Sequence, residues 1–513
     1  MEKLNRSLLT NGFKFNDDLV IGTKERLPEK VIQFGEGNFL RAFVDYMFDC
    51  LNAEGKFDGG ITLIQPIPGG DMLRDFINEQ EGLYTLIARG NENGQKVVSK
   101  RLITSVNKCI NPYVDLETYN NCAKNPELRY VVSNTTEAGI TYKPEPYVED
   151  KPQDTFPAKV CNFLNLRFKT FGGDKAKGLV FIPCELIDDN GKALKECVLK
   201  YANDWSLGAD FIDWVETACI FTSTLVDRIV TGYPRPEVET LTEEFGYVDN
   251  VIDTSEIFHT WVIEGPASLA EELPFNQIGL NVIFTDNVKP YKKRKVRILN
   301  GAHTCSVLGA YLAGHTIVRK MMADPDIIKY LEIALNDEIM PALTDLDYDD
   351  LKAFSDAVFD RFKNPFIDHK ILDISLNSTA KFKARVLPTI KEYIELKGKL
   401  PKILTFSFAA YVAFYNGTET KDGALIGSRK IDGADEEYPI KDDAAVLETY
   451  AALNAANDRT TKEGCAALIK AVCANTDFWG EDLNAVEGFA DTCSEYLYKL
   501  STEAPADVIK SIL

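Results

Sequence analysis

Histidine is scarce in this chain. There are four in 513 residues (His259, His303, His315 and His369), and none forms an H-E-x-x-H pair. A zinc site built on histidine therefore lacks its usual ligands, and no metal is expected. Eleven cysteines are scattered without a single C-x-x-C pair. That excludes zinc ribbons and disulfide scaffolds and suits a reducing compartment. No apolar run approaches the roughly 18 residues of a spanning helix. The opening MEKLNRSLLTNGFKF lacks the continuous apolar core of a signal peptide. The cytoplasm is the expected location, with no membrane partner. Positive charge is also in short supply, since 57 Lys plus Arg against 78 Asp plus Glu leave a net charge of −21. Such a surface repels phosphate backbones, so nucleic acid is not an expected partner.

What is present is ordinary globular material, 45% hydrophobic and 26% charged. The length predicts two to four domains. The first strand reads at Lys30–Phe34, followed by Gly35-Glu-Gly-Asn-Phe-Leu-Arg41 and a helix over Ala42–Leu51. Strand, glycine turn and helix open a βαβ unit. Further strands are predicted at Gly60–Gln65, Tyr84–Ala88, Lys96–Ile103, Tyr130–Ser133 and Gly178–Pro183. With helices between several of them, this is an α/β arrangement on a mainly parallel sheet. After a short strand at Asn281–Phe284, the chain reads as amphipathic helices: 302–322, 325–343, 349–362, 401–416, 444–457 and 486–500. Residues 1–284 are thus predicted to form a Rossmann-like nucleotide-binding domain and 285–513 a mainly α-helical second domain. The polar, Gly-rich stretch 417–439 reads as a loop.

Gly35-x-Gly37 lies where backbone N–H groups and a helix dipole can hold a pyrophosphate, although Leu40 replaces the third glycine of G-x-G-x-x-G. An ordinary tight strand–helix turn reads equally well. The second strand ends at Gln65-Pro66, with Asp71 the nearest acid, so neither an acid nor an arginine marks NAD from NADP. Lys295, Asn300 and His303 form the candidate catalytic group. On a regular helix, about 100° per residue places them within a sector of about 140°. A lysine can shuttle a proton, an asparagine amide can hold a developing alkoxide, and a histidine can bind a hydroxyl. The same residues also read as a snorkelling lysine, a helix-turn asparagine and a core histidine.

Lys295-x-x-x-x-Asn300-x-x-His303, inside KVRILNGAHT, resembles the active-site signature of the mannitol dehydrogenase family, the long-chain polyol-specific dehydrogenases and reductases. Phe34-Gly-Glu-Gly-Asn-Phe-Leu-Arg41 resembles its first βα turn, where G-x-G-x-F replaces the glycine triplet. Thr135-Thr-Glu-Ala-Gly139, Leu225-Val-Asp-Arg-Ile229, Arg361-Phe-Lys-Asn-Pro365 and Ser378-Thr-Ala-Lys381 resemble further family segments, in the family's order. The resemblance implies a metal-independent NAD(H)-dependent oxidoreductase, monomeric or a small homo-oligomer, acting on a small sugar acid. Lys295 would be the acid or base, with Asn300 and His303 beside it. Phe34, Gly35, Glu36, Gly37, Asn38, Phe39, Thr136 and Glu137 would hold the cofactor. Asp227, Arg361 and Lys381 would contact substrate, and Lys381, which opens the basic stretch with Lys383 and Arg385, would be the first to face its carboxylate. Polyol members carry S-C-D-N where this chain has Pro183-Cys-Glu-Leu186, which argues against plain mannitol. The implied reaction is reduction of D-tagaturonate to D-altronate. Reduction of fructuronate, a mannitol-type polyol reaction, or nucleotide sensing without turnover are the alternatives.

Overall fold

The computed structural model describes all residues except 93, 137 and 432. The chain divides into two compact units, one of residues 1–90 with 96–289 and the other of 91–95 with 290–513. Among the described residues, no helix is long and apolar enough to cross a membrane.

The first unit is built on six strands: β1 (Glu29–Phe34), β2 (Gly60–Ile64), β3 (Val106–Ile110), β4 (Tyr130–Ser133), β5 (Val180–Pro183) and β6 (Ile220–Phe221). They lie in the order β6-β5-β4-β1-β2-β3, and every pairing is parallel. Chain direction across the sheet reverses between β1 and β4, the switch point at which open α/β sheets bind ligands. Alternation explains why these strands are apolar throughout. Val31, Ile61 and Val132 enter one buried cluster, while Ile32, Ile64 and Val131 enter another on the opposite face. A mixed sheet of Ser223–Asp227, Thr260–Glu264 and Val282–Thr285 follows.

The helix after β1 is not regular. Asn38–Leu40 passes into a π-helical turn at Arg41–Asp45 and then into Tyr46–Ala53. The buried Arg41 donates to Glu36 O (3.1 Å), Val251 O (2.6 Å) and Asn38 Oδ1 (2.6 Å), and it lies 3.6 Å from Asp253. Beside it, Tyr84 donates to Asp45 Oδ2 at 3.1 Å.

In the second unit, the helix Lys402–Phe414 is buried on all sides. The buried Glu338 carboxylate accepts from the N–H groups of Ile403 (2.8 Å) and Leu404 (2.9 Å) at its start. It packs on Gly301–Leu312 at Gly309, where an added Cβ would lie 3.6 Å from that of Ala410. Two sequence expectations need correction here. The helix expected over 302–322 ends at Leu312, because Gly314 turns the chain at φ +105°, and helix resumes only at Val318–Met321. The stretch expected to be a loop, 417–439, contains an antiparallel hairpin of Ala424–Ile431 and Ala434–Ile440. Its alternation is carried by Leu425, Arg429 and Tyr438, and the polar residues between them mask it.

Burial pushes the Asp45 carboxyl up to about 7, against hydrogen bonding from Tyr84 and the charge of Arg41. A carboxyl raised in the folded state stabilises below its unfolded pKa near 4 and loses that contribution as pH rises through about 7. Asp45→Asn should therefore gain stability relative to the parent between pH 5 and pH 8, by up to the order of 3 kcal/mol. Denaturant melts at both pH values check this. A parent–variant difference independent of pH would refute it.

Candidate functional site

In the first unit a cleft of about 520 Å³ opens at the carboxyl ends of β1 and β4. Gly35, Glu36 and Gly37 line it from one side and Asn134, Thr135, Thr136 and Thr155 from the other. Gly35 has φ +121°, and a Cβ there would meet Asn134 O at 3.1 Å and Leu40 Cδ1 at 3.2 Å. Leu40 is buried under the turn, in the place a third glycine would leave open. A Cβ on Gly37 would meet nothing within 4 Å, so this glycine presents bare backbone to open space. Glu36 is half-buried, and burial raises its carboxyl above the usual range.

The other predicted cofactor residues divide by role. Phe34 points into the core, 5.1 Å from Phe156, and contributes only its carbonyl, which accepts from Asn134 N at 3.0 Å. The Asn38 amide oxygen is held by Arg41. Phe39 stacks on Phe43 at 5.1 Å. Thr136 lines the cleft at φ +70°, and Glu137 lies outside the described residues.

Sequence reasoning missed Glu185. This buried carboxylate accepts from Ser133 Oγ (3.0 Å) and from Thr135 N and Oγ1 (both 2.9 Å), tying the loop after β4 to the end of β5. The signal was its place in Pro183-Cys-Glu-Leu186, whose Leu186 is exposed. Asn190 was missed too. Its side chain donates to the carbonyls of Pro183, Glu185 and Thr224 and accepts from Thr224 N. Lys143 also lines the cleft, and nothing in the sequence marked it. At the end of β2, Gln65 is buried and donates to Ile67 O and Gly69 O, while Asp71 is occupied by Asn111 and Arg74. Asp227 is buried at the end of Ser223–Asp227.

In the second unit, Lys295 ends the helix Lys289–Lys295, a π-helical turn spans Val296–Asn300, and Gly301–Leu312 continues. The regular helix expected here is therefore corrected. A π turn closes i to i+5, which brings Lys295 and Asn300 closer to one side than an α-helix would. His303 stacks on Phe362 (4.0 Å, 15°) and meets His369 edge-on at 5.7 Å. Its Nε2 is sealed from solvent without a hydrogen-bond partner. Burial, with His369, Arg361, Arg385 and Lys381 around it, holds this imidazole well below its ordinary pKa and therefore neutral. The predicted basic stretch divides. Lys381 and Arg385 act on His303, whereas Lys383 is exposed beside Gly480. Lys381 donates to Ile374 O at 2.8 Å, and burial lowers its pKa.

Two family models cover most of the chain: the mannitol dehydrogenase Rossmann domain over residues 29–277 and the mannitol dehydrogenase C-terminal domain over 287–500. The chain belongs to the mannitol dehydrogenase family. Among curated members, altronate oxidoreductase of Pectobacterium atrosepticum is 48% identical over 92% of this chain and 94% of its own length. The altronate oxidoreductase of Escherichia coli strain HS is 45% identical over 94% and 97%. Two solved structures share the fold over 99% of both chains. They are Pseudomonas fluorescens mannitol 2-dehydrogenase in ternary complex with NAD and D-mannitol (TM-score 0.67, 21% identity) and a substrate-free D-sorbitol dehydrogenase (TM-score 0.75, 18% identity). The first unit of this family member thus offers a dinucleotide cleft whose bare Gly37 and switch-point position fit a nicotinamide dinucleotide. The second unit gathers proton-carrying, amide and cationic side chains.

The two glycines of the turn should respond differently. Gly37→Ala should leave the melting temperature within about 2 °C while weakening NADH binding roughly tenfold or more, because the methyl group occupies ligand space. Gly35→Ala should lose at least about 1 kcal/mol of stability, because alanine disfavours positive φ. Fluorescence titration with NADH alongside thermal melts checks both. Full cofactor affinity in the Gly37 variant would remove the cleft from cofactor binding.

Proposed function

We propose that this protein interconverts D-tagaturonate and D-altronate with NADH and NAD. The carrying observation is the cationic cluster of Arg361, Lys381 and Arg385 around the neutral His303. A uronate brings a carboxylate that such a cluster suits, and mannitol has none. Identity of 45–48% to altronate oxidoreductases supports the same substrate class. Reduction of fructuronate differs by one inverted hydroxyl and is separated by assay alone.

A nicotinamide dinucleotide held along Gly35–Gly37 and Asn134–Thr136 supplies hydride when bound. We read it as NAD rather than NADP. The cleft beyond β2 is lined by Pro66 and Ile67, Gln65 is folded onto its own loop, and the nearby Arg74 is already held by Asp71 and Asp75, which favours a ribose without a 2′-phosphate. Lys295 gives its ammonium proton to the oxygen of the reduced carbon and, in the oxidative direction, takes it back. The Asn300 amide donates to that same oxygen. His303, neutral and with Nε2 unpaired, binds a neighbouring hydroxyl. Lys381 holds a further substrate oxygen. Eleven free cysteines suit the reducing cytoplasm.

Lys295→Ala should keep NADH affinity and lose at least about two orders of magnitude in turnover. Near-normal turnover at neutral pH would place the proton donor elsewhere. NADH absorbance with tagaturonate, fructuronate and a neutral ketose in turn tests the substrate, and a preference for the neutral ketose would overturn the assignment. Because Lys295 serves as the acid, prolonged chelation and metal-free dialysis should leave activity intact. A loss restored specifically by zinc would refute that mechanism.

A further inference from the structure

We propose that Arg385 is the side chain that grips the substrate carboxylate and so selects sugar acids over neutral sugars. This rests on the sugar-acid reading above and deepens it, because the basic stretch as a whole supplies three candidate cations.

The helix Ser378–Arg385 is fixed at its start. Asp442 Oδ2 accepts from Thr379 N (3.1 Å), Thr379 Oγ1 (2.8 Å) and Tyr415 OH (2.6 Å). Helical spacing then puts Lys381 and Arg385 on one face, with Lys383 off it. Lys381 is partly committed, since its ammonium donates to Ile374 O. Arg385 is different. It is half-buried, its Nη1 reaches only Thr304 Oγ1 at 3.4 Å, and that hydroxyl already donates to Asn300 O at 2.8 Å. It has no ion-pair partner among the described residues, and burial alone accounts for its lowered pKa.

Four other arginines of this unit set the standard. Arg294 pairs with Asp350, Arg297 with Glu392 and Arg429 with Glu436, while Arg459 is wrapped by the carbonyls of Val412, Ala413 and Tyr415. A guanidinium partly withdrawn from water without a counter-anion carries a desolvation cost that an arriving anion relieves. Arg385 carries five donors, two of which match a carboxylate bidentately. It is anchored at Thr304, next in sequence to His303, whose sealed Nε2 also lacks a partner. An anion and a hydroxyl on one small molecule would satisfy both groups.

The test compares Arg385→Met, Arg385→Lys and Lys381→Met with the parent, on a keto-uronate and a neutral ketose. Arg385→Met should raise the keto-uronate KM by about 10- to 150-fold with a far smaller effect on the neutral ketose. Arg385→Lys should recover part of the loss, because it keeps the charge without the planar geometry. NADH affinity and melting temperature show whether each variant is folded. Calorimetry of the NAD-loaded protein with a hexonate and the matching hexitol supplies a readout independent of turnover. The parent should favour the hexonate, and Arg385→Met should erase the preference. An unchanged keto-uronate KM, or equal losses on both substrates, would overturn the assignment. If the parent reduces no keto-uronate yet loses its hexonate preference in Arg385→Met, the reaction assigned above fails while the carboxylate site stands.

Discussion

An excess of 21 negative charges sets the central constraint on a protein that must hold phosphates and a carboxylate. Bulk charge is screened within about 8 Å at physiological ionic strength, so the local surroundings of each cation decide what it attracts. The fold meets this by burial. In the first unit the cleft presents bare backbone at Gly37 and the start of a helix. In the second, burial first, and then the positive charge of Arg361, Lys381 and Arg385 around the ring, disfavours the protonated form of His303. The cost of gathering like charges is met by anchoring their scaffold: Asp442 fixes the helix that carries Lys381 and Arg385, and Glu338 fixes the helix Lys402–Phe414.

Buried polar side chains do comparable positioning work in the first unit. Arg41 spans from the glycine turn to Val251 and Asp253, so the turn is fixed by a residue that never faces the ligand. Glu185 and Asn190 lock the loops that follow β4 and β5. Each makes at least three hydrogen bonds, which ties a buried polar group to one conformation.

Legibility from sequence followed the strength of the periodic signal. β1, β4 and the helix Tyr348–Phe362 were readable because apolar residues repeat at the right period, and their bounds fall within a residue or two of expectation. The hairpin around residue 430 was hidden because its inward positions include Arg429, whose guanidinium is buried over Tyr311 and paired with Glu436. A pattern reader scores that arginine as solvent-facing. Glu185 escaped for the same reason, since a buried acid with three donors looks like surface charge in one dimension. The resemblance named His303, Lys381 and Arg361, which the structure brings together, but that Arg385 has no ion-pair partner among the described residues was not legible. Pairing is a property of three dimensions.

The π turn at Val296–Asn300 shows how far spacing alone can mislead. On a regular helix five residues rotate about 500°, leaving Lys295 and Asn300 some 140° apart. Two groups proposed to share one substrate oxygen would then diverge. Closing the backbone from i to i+5 absorbs the extra residue and draws the two side chains towards one side. A second π turn, at Arg41–Asp45, places Arg41 under the glycine turn and Asp45 against Tyr84. A third π turn lies at Ala334–Ile339; the first two lie beside candidate site residues, where the added residue re-aims side chains without lengthening a loop. The sequence spacing K-x-x-x-x-N therefore reads as a helical surface only once the local hydrogen-bond register is known.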